Sequence, residues 1–139
     1  MNLMRFTQTI FRGIGQVMFQ ENVITGLFFL FAILINNKLM AIYAIYAAVM
    51  GSITGWLFSV SFSSINTGLM GYNGILCAIA LSGKGWRDLL WITMAIILST
   101  LINIGLAITG IITLTAPFVL ATWMVLRLKK LTKFKSNSY

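Results

Sequence analysis

Apolar residues run along this chain in long uncharged blocks, and short polar or glycine-rich stretches separate one block from the next. A long uncharged block is typical of a helix that lies in a membrane, where no water solvates a charge. The pattern predicts five membrane segments, at residues 22–36, 39–60, 68–81, 89–112 and 114–128.

A more polar stretch, residues 5–20, precedes these blocks, and its apolar positions are interrupted by Arg5, Gln8, Arg12 and Gln16. Such a stretch is too polar to span and predicts an amphipathic helix that is interfacial or re-entrant. A basic tail, residues 129–139, follows the last block. We therefore predict an all-α membrane protein, with residues 1–139 as a single membrane domain of five transmembrane helices plus this N-terminal helix.

The five segments differ in length. At about 1.5 Å per residue, a helix of about 14 residues rises about 21 Å, less than the roughly 30 Å of a hydrocarbon core. Segments 39–60 and 89–112 are long enough to span, and the other three are short. Short segments interrupted by glycine or proline indicate a binding site near the membrane midplane. The alternative is that they are tilted helices whose ends other parts of the protein cover.

The composition agrees with a membrane protein. Hydrophobic residues make up 59% of the chain and charged residues 9%, with a mean hydropathy of +0.94, whereas soluble domains contain about 25% charged residues. The chain has no histidine, one cysteine and two carboxylates, Glu21 and Asp88. This excludes an internal disulfide and a His/Cys metal site, and it argues against acid–base catalysis. We expect no enzyme activity and no cofactor.

The net charge of +8 is concentrated at one place, because five of the ten basic residues lie between Arg127 and Lys135. A cluster directly after an apolar segment is typical of an anchor on anionic lipid, so we expect no nucleic-acid partner. With five spans, eight basic residues fall on the side of the C-terminus and two on the other, which predicts a cytoplasmic C-terminus. Without the tail the ratio is three to two, which permits mixed orientations. The N-terminus lacks the pattern of a signal peptide, so we expect it in the mature protein.

The stretch "TAPFVL" (115–120) contains the single proline of the chain. Pro117 is tolerated in the first turn of a helix, so we predict a helix that begins near Ala116 with the Thr115 hydroxyl as its N-cap. A helix start at membrane depth must be buried in protein or line a wet cavity. Thr115 is then placed to offer oxygen to a polar solute. The alternative is an ordinary junction between a loop and a helix.

The stretch "GLMGYNGILCAIAL" (68–81) carries a glycine at every third position, namely Gly68, Gly71 and Gly74. These form a stripe of small residues against which another helix can pack closely. Tyr72 and Leu76 are four residues apart and share a helix face. This pattern is also explained by packing alone.

The stretch "RGIGQVMFQEN" (12–22) places an amide, Gln16, three residues before an aromatic ring, Phe19. A buried glutamine needs hydrogen-bond partners or a polar path. No charged residue lies well inside a predicted span, since Arg127 is at the end of segment 114–128, whereas proton relays and ion coupling normally require one. The sequence therefore favours passive permeation of a neutral solute, and it equally permits a protein that transports nothing.

These three stretches, in this order, resemble the urea transporter family of membrane channels, and the resemblance covers nearly the whole chain. Members of that family are built of two repeats in inverted orientation, each with five transmembrane helices and a re-entrant helix, and urea moves passively between the halves. The chain resembles one such repeat, the second. The resemblance implies that Gln16 and Thr115 supply oxygens along the pore, that Tyr72 and Leu76 flank apolar slots, and that Phe19 adds a slot wall.

Urea suits such a site because it is planar and neutral, with N–H donors round its edge. Apolar walls with acceptor oxygens along one side replace its hydration shell while excluding ions. We therefore expect a channel for urea or similar small amides in the cell (inner) membrane.

One repeat supplies only half of the pore wall that the family uses. Two copies could assemble in opposite orientations as a homo-oligomer, a complementary half-transporter could pair with the chain, or the chain could be a truncated product. The alternative function is a non-transporting membrane subunit. A small dual-topology cation exporter is a further alternative, which would need Glu21 as its intramembrane acid.

Overall fold

The structure, a computed structural model, describes residues 3–136 and the side chains of residues 3–132. Within these residues the chain is helical, without strands, so the prediction of an all-α protein is confirmed. Seven helices follow one another in the described part: α1 Leu3–Gln16, α2 Val23–Asn36, α3 Lys38–Leu57, α4 Phe62–Asn66, α5 Tyr72–Ala80, α6 Trp86–Ile108 and α7 Ala116–Ser136.

Two helices of the described chain, α3 and α6, are long and apolar enough to cross a membrane by length and composition. Helix α2 is apolar but has only 14 residues. These findings are those of a helical membrane protein, and the number of five crossing helices stays a prediction.

The helix bounds differ from the segment pattern in several places. Helices α1 and α6 end at Gln16 and Ile108, before the predicted bounds 20 and 112, and α5 begins at Tyr72 instead of residue 68. The stretch 61–67, expected to be a polar linker, contains α4, whose first turn is capped where the Ser61 hydroxyl accepts a hydrogen bond from Ser64 N (3.3 Å). Helix α7 continues beyond residue 128 to Ser136, because lysine and threonine can extend a helix once it has formed.

Helices α3 and α6 lie side by side in the same direction. Near their N-terminal ends the Tyr43 hydroxyl of α3 donates to the Gly83 carbonyl just before α6 (2.9 Å). Further along, the hydroxyls of Tyr46 and Thr93 are hydrogen-bonded (2.9 Å). The starts of α3 and α6, with Lys38, Lys84 and Arg87, therefore lie at one end of the bundle, which we call the basic end.

Helix α5 begins halfway up this bundle. A Cβ atom placed on Gly71 would lie 3.3 Å from the Cα of Ala48, near the middle of α3. One placed on Gly74 would lie 3.0 Å from Ile96, near the middle of α6. From there α5 runs to the basic end, so it occupies only half of the bundle height.

Helix α7 also begins near mid-height and runs to the basic end, antiparallel to α6. Its Lys129 ammonium contacts the Asp88 carboxylate in the first turn of α6 at 2.6 Å. At about 1.5 Å per residue the helix rises about 20 Å between Ala116 and Lys129, so its start lies beside the interior of α6. Two helices, α5 and α7, thus point their N-terminal ends into the middle of the molecule.

Replacing Lys129 with Met is expected to lower the free energy of unfolding by no more than about 1 kcal/mol, because a partly exposed ion pair is weak. Both side chains keep about a quarter of their surface exposed, 27% for Lys129 and 25% for Asp88. Thermal unfolding of the purified protein in detergent measures the change. A loss several times larger would show that this pair determines how α7 docks on α6.

Candidate functional site

Two non-helical turns meet where α5 and α7 begin, and their backbone polar groups are paired by side chains. Backbone groups outside helices need partners when water is excluded. Two carbonyl oxygens of the turn 67–70 accept a hydrogen bond from a side chain of a helix: Thr67 O from Gln16 Nε2 (3.1 Å) and Leu69 O from Asn103 Nδ2 (3.0 Å). Met70 O lies 3.4 Å from Thr100 Oγ1, whose shorter hydrogen bond goes to Ile96 O in its own helix (2.9 Å).

The second turn, residues 109–115, is held at Leu114, whose φ of 43° is unusual for a non-glycine residue. The Leu114 carbonyl accepts hydrogen bonds from the Tyr72 hydroxyl and from Asn73 Nδ2, the latter at 3.2 Å. The Thr113 hydroxyl donates to the side-chain oxygen of Asn103. The start of α5 therefore fixes the turn that leads into α7.

The prediction that the Thr115 hydroxyl accepts the capping hydrogen bond of α7 is wrong. The structure confirms a helix start at Ala116, but the first-turn N–H of Phe118 donates to Asn73 Oδ1 (3.2 Å), not to the Thr115 hydroxyl. Within the part of the chain that the structure describes, the Thr115 hydroxyl makes no hydrogen bond. Its oxygen is therefore available to a ligand.

Gln16, at the end of α1, is oriented by its contact with Thr67. The Thr67 carbonyl can only accept, so the amide nitrogen of Gln16 must face it, at 3.1 Å. This leaves Oε1 of Gln16 without a hydrogen bond among the described residues. Gln16 and Thr115 thus each have an acceptor oxygen without a hydrogen bond among the described residues, and their role in a pore stays a prediction.

Tyr72 and Leu76 lie on α5, where Tyr72 is 5% exposed and Leu76 is half-buried. The Tyr72 hydroxyl is engaged by Leu114, so only its ring remains to line a slot. Phe19 lies in the turn after α1 with a φ of 55°, and it is 58% exposed.

The glycine stripe has a different role from the one that its spacing suggests. Gly68 lies against Gly13 of α1, Gly71 against α3 and Gly74 against α6, so the three glycines meet three helices instead of one. Only Gly74 of the three lies within α5. Gly68 has a φ of 81° and lies in the turn before that helix.

The five predicted site residues fall into two groups in the structure. Tyr72 lies beside the turn that contains Thr115, because its hydroxyl donates to Leu114 O, and Leu76 lies one helical turn further along α5, whereas Gln16 and Phe19 lie at the end of α1. Helices α1 and α7 do not contact each other in the described chain. The turn 67–71 joins the two groups, since it binds Gln16 at one side and leads into Tyr72 at the other.

Three polar residues of the site were not predicted as site residues: Asn73, Thr100 and Asn103 are at most 4% exposed. Asn103 and Thr100 lie within the apolar block 89–112, where a polar side chain has to find a partner. That position was the available signal. It could not reveal the partners, which lie on the two turns.

The electrostatics of the site favour a neutral solute. No charged residue occurs in the turns 67–71 and 109–115. The N-terminal ends of α5 and α7 both carry the positive pole of a helix dipole, which disfavours cations.

A cavity of about 300 Å³ lies elsewhere in the described chain, between α1, α3 and α4. None of the five predicted site residues lines it. Its lining residues are Phe6, Ser52, Ile53, Trp56, Phe62 and Ile65.

Helices that begin inside an apolar bundle, beside turns without charged residues, are typical of the binding regions of membrane transport proteins. Comparison with known proteins agrees. The family model described as "Urea transporter" matches residues 1–130. The chain therefore belongs to the urea transporter family.

Curated relatives carry the same description. Urea transporter 1 of Ovis aries is 33% identical over 125 residues, which cover 84% of this chain and 32% of that protein. Urea transporter 1 of Rattus norvegicus is 37% identical over 81 residues, covering 58% of this chain and 21% of that protein. The chain spans about a third of the length of the sheep relative. Family membership makes it an integral membrane protein.

Proposed function

We propose that this chain forms part of a passive pathway for urea or a similar small neutral amide. The observation that carries the proposal is the pair of unpaired acceptor oxygens, Gln16 Oε1 and Thr115 Oγ1, beside turns whose other polar side chains are hydrogen-bonded. Urea can replace its water with these oxygens through its N–H groups. The rings of Tyr72 and Phe19 and the Leu76 side chain supply apolar walls against its flat faces.

The pathway is completed by assembly in this proposal. The two oxygens lie on different helices of a half-open bundle, and α1 and α7 make no contact within the described chain. A second copy, or a complementary half-transporter, supplies the opposite wall. The rival function is a membrane subunit that does not transport.

The proposed location is the cell (inner) membrane with the C-terminus in the cytoplasm. Lys38, Lys84, Arg87 and Lys129 all lie at the basic end of the bundle. Basic residues that flank membrane segments are enriched on the cytoplasmic side. The five-helix topology with a re-entrant α1 is part of this proposal.

Thr115→Val is expected to lower urea flux about threefold to tenfold, because losing one hydrogen bond to the solute costs about 0.5–1.5 kcal/mol. Valine has nearly the size of threonine but replaces the acceptor oxygen with a methyl group. Stopped-flow urea efflux from proteoliposomes measures the change.

The matched control is Thr122→Val on the same helix. The Thr122 hydroxyl contacts the Cys77 sulfur (3.5 Å) and lies outside the proposed site. The control is expected to keep its flux. Equal flux from the Thr115 variant and the wild type, at equal protein content, would remove Thr115 from the pathway.

A further inference from the structure

The Asn73 side chain holds two parts of the α6–α7 junction at once. It is 1% exposed, its Nδ2 donates to the Leu114 carbonyl and its Oδ1 accepts from the Phe118 N–H, each at 3.2 Å. Thr115 lies between these two partners in sequence. Asn73 therefore brackets the residue that the proposed function places in contact with solute.

The backbone of the first turn of α7 leaves one N–H for a capping side chain. The Ala116 N–H donates to Thr113 O (3.1 Å), Pro117 has no N–H, and the Val119 N–H donates to Thr115 O (3.2 Å). Phe118 is left, and its N–H is at the position that the side chain of an N-cap residue normally reaches. That N-cap residue is Thr115, whose hydroxyl would bond Phe118 if Asn73 did not.

We propose that Asn73 is a positioning residue that caps α7 in place of Thr115 and so keeps the Thr115 hydroxyl free for the solute. This rests on the proposed function, because it assumes that Thr115 contacts the solute. Without an acceptor at position 73, the Phe118 N–H would be unpaired in a site that excludes water. The Thr115 hydroxyl would then turn to it, since an unpaired buried donor is costly.

Because of the Tyr72 hydroxyl, the capping role of Asn73 can be distinguished from a general role in holding the turn. It donates to the same Leu114 carbonyl, so the turn keeps one anchor when the Asn73 amide is removed. The acceptor for Phe118 comes from Asn73 alone among the described residues. A variant that keeps an oxygen at position 73 should therefore preserve flux, and one of the same size without an oxygen should not.

The test is a double-mutant cycle in proteoliposomes with Asn73→Leu, Asn73→Asp and Thr115→Val. Asn73→Leu is expected to lower urea flux about threefold to tenfold, the range expected for Thr115→Val, because both remove the same hydroxyl from the solute. The double variant Asn73→Leu/Thr115→Val should lose no more than either single variant. Asn73→Asp should stay near wild type in its neutral form, which burial favours, because its carbonyl oxygen then accepts from Phe118 and its O–H donates to the Leu114 carbonyl as Asn73 Nδ2 does.

The control for the loss of a buried polar group is Ser99→Ala. The Ser99 hydroxyl is fully buried and bonds Ile96 O in its own helix (3.0 Å). Its variant is expected to keep the wild-type flux.

Multiplicative losses in the double variant would overturn the inference, and so would equally low flux from Asn73→Asp and Asn73→Leu. If Asn73→Leu does not fold, the pair Asn73→Asp and Asn73→Asp/Thr115→Val decides. The inference expects Thr115→Val to lower flux by the same factor in the Asn73→Asp background as in the wild type. Equal flux from Asn73→Asp and Asn73→Asp/Thr115→Val would overturn the inference. Unchanged flux in Thr115→Val alone would instead contradict the proposed function, so the two failures are distinguishable.

Discussion

Gly26→Ala is expected to prevent α1 from docking on α2 and to lower the free energy of unfolding by at least about 3 kcal/mol, the upper end of the usual cost of overpacking. A Cβ atom at Gly26 would lie 1.9 Å from the Phe11 carbonyl oxygen and 3.2 Å from Gly15 N. Both are backbone atoms of α1, so no side chain can turn away. Helix α1 would have to move, and with it Gln16.

Helix propensity acts in the opposite direction but is too small to offset this clash. Alanine stabilises a helix interior by about 1 kcal/mol relative to glycine. Gly105→Ala is the matched control, because it lies in α6 and nothing within 4 Å would meet its Cβ atom. The control should be neutral or stabilising. Thermal unfolding and size-exclusion profiles in detergent compare the two variants, and a Gly26→Ala protein as stable as Gly105→Ala would contradict the packing of α1 described here.

Gly51→Ala is expected to displace the start of α5, with a loss of about 1–3 kcal/mol in the free energy of unfolding and a loss of urea flux. Its Cβ atom would lie 2.6 Å from Met70 O and 2.8 Å from Gly71 Cα. Helix α3 and the turn before α5 are therefore in backbone contact. The displacement would move Asn73 away from Phe118 and would break the bond between Thr100 and Met70 O.

The flux of the folded variant distinguishes a displaced α5 start from a simple loss of stability. Flux per folded protein is measured after the fraction of monodisperse variant has been determined, again with Gly105→Ala as the control. Wild-type flux in folded Gly51→Ala would show that the position of the α5 start does not control the pathway.

Local features of the sequence were sufficient to predict where α7 begins and that α5 is short. Pro117 is tolerated only near a helix start, and the segment 68–81 is too short to span, so each conclusion needs nothing beyond its own stretch. The structure places the start of α7 at Ala116 and limits α5 to nine residues. The charge pattern likewise grouped Lys38, Lys84 and Arg87 with the C-terminal basic residues.

The partners of the polar side chains could not be predicted from such stretches. Asn73 and Phe118 are 45 residues apart, and only the packing of α5 beside α7 brings them together. The expectation that Thr115 caps α7 followed from local geometry and failed because a residue of another helix took that position. The same reason explains the glycines of segment 68–81, which contact three helices because the chain turns between Gly68 and Gly74.

The central claim is that this chain forms part of a pathway for urea, which a second copy or a complementary half-transporter completes, and the form that a single purified polypeptide tests is that copies of the chain suffice. Its most direct test is stopped-flow urea efflux from proteoliposomes that contain only the purified chain, with empty liposomes and the Thr115→Val and Thr122→Val variants beside them. The account predicts fast, saturable efflux that Thr115→Val reduces and Thr122→Val leaves unchanged. Efflux at the level of empty liposomes, from vesicles in which the inserted chain is folded and assembled, would contradict it.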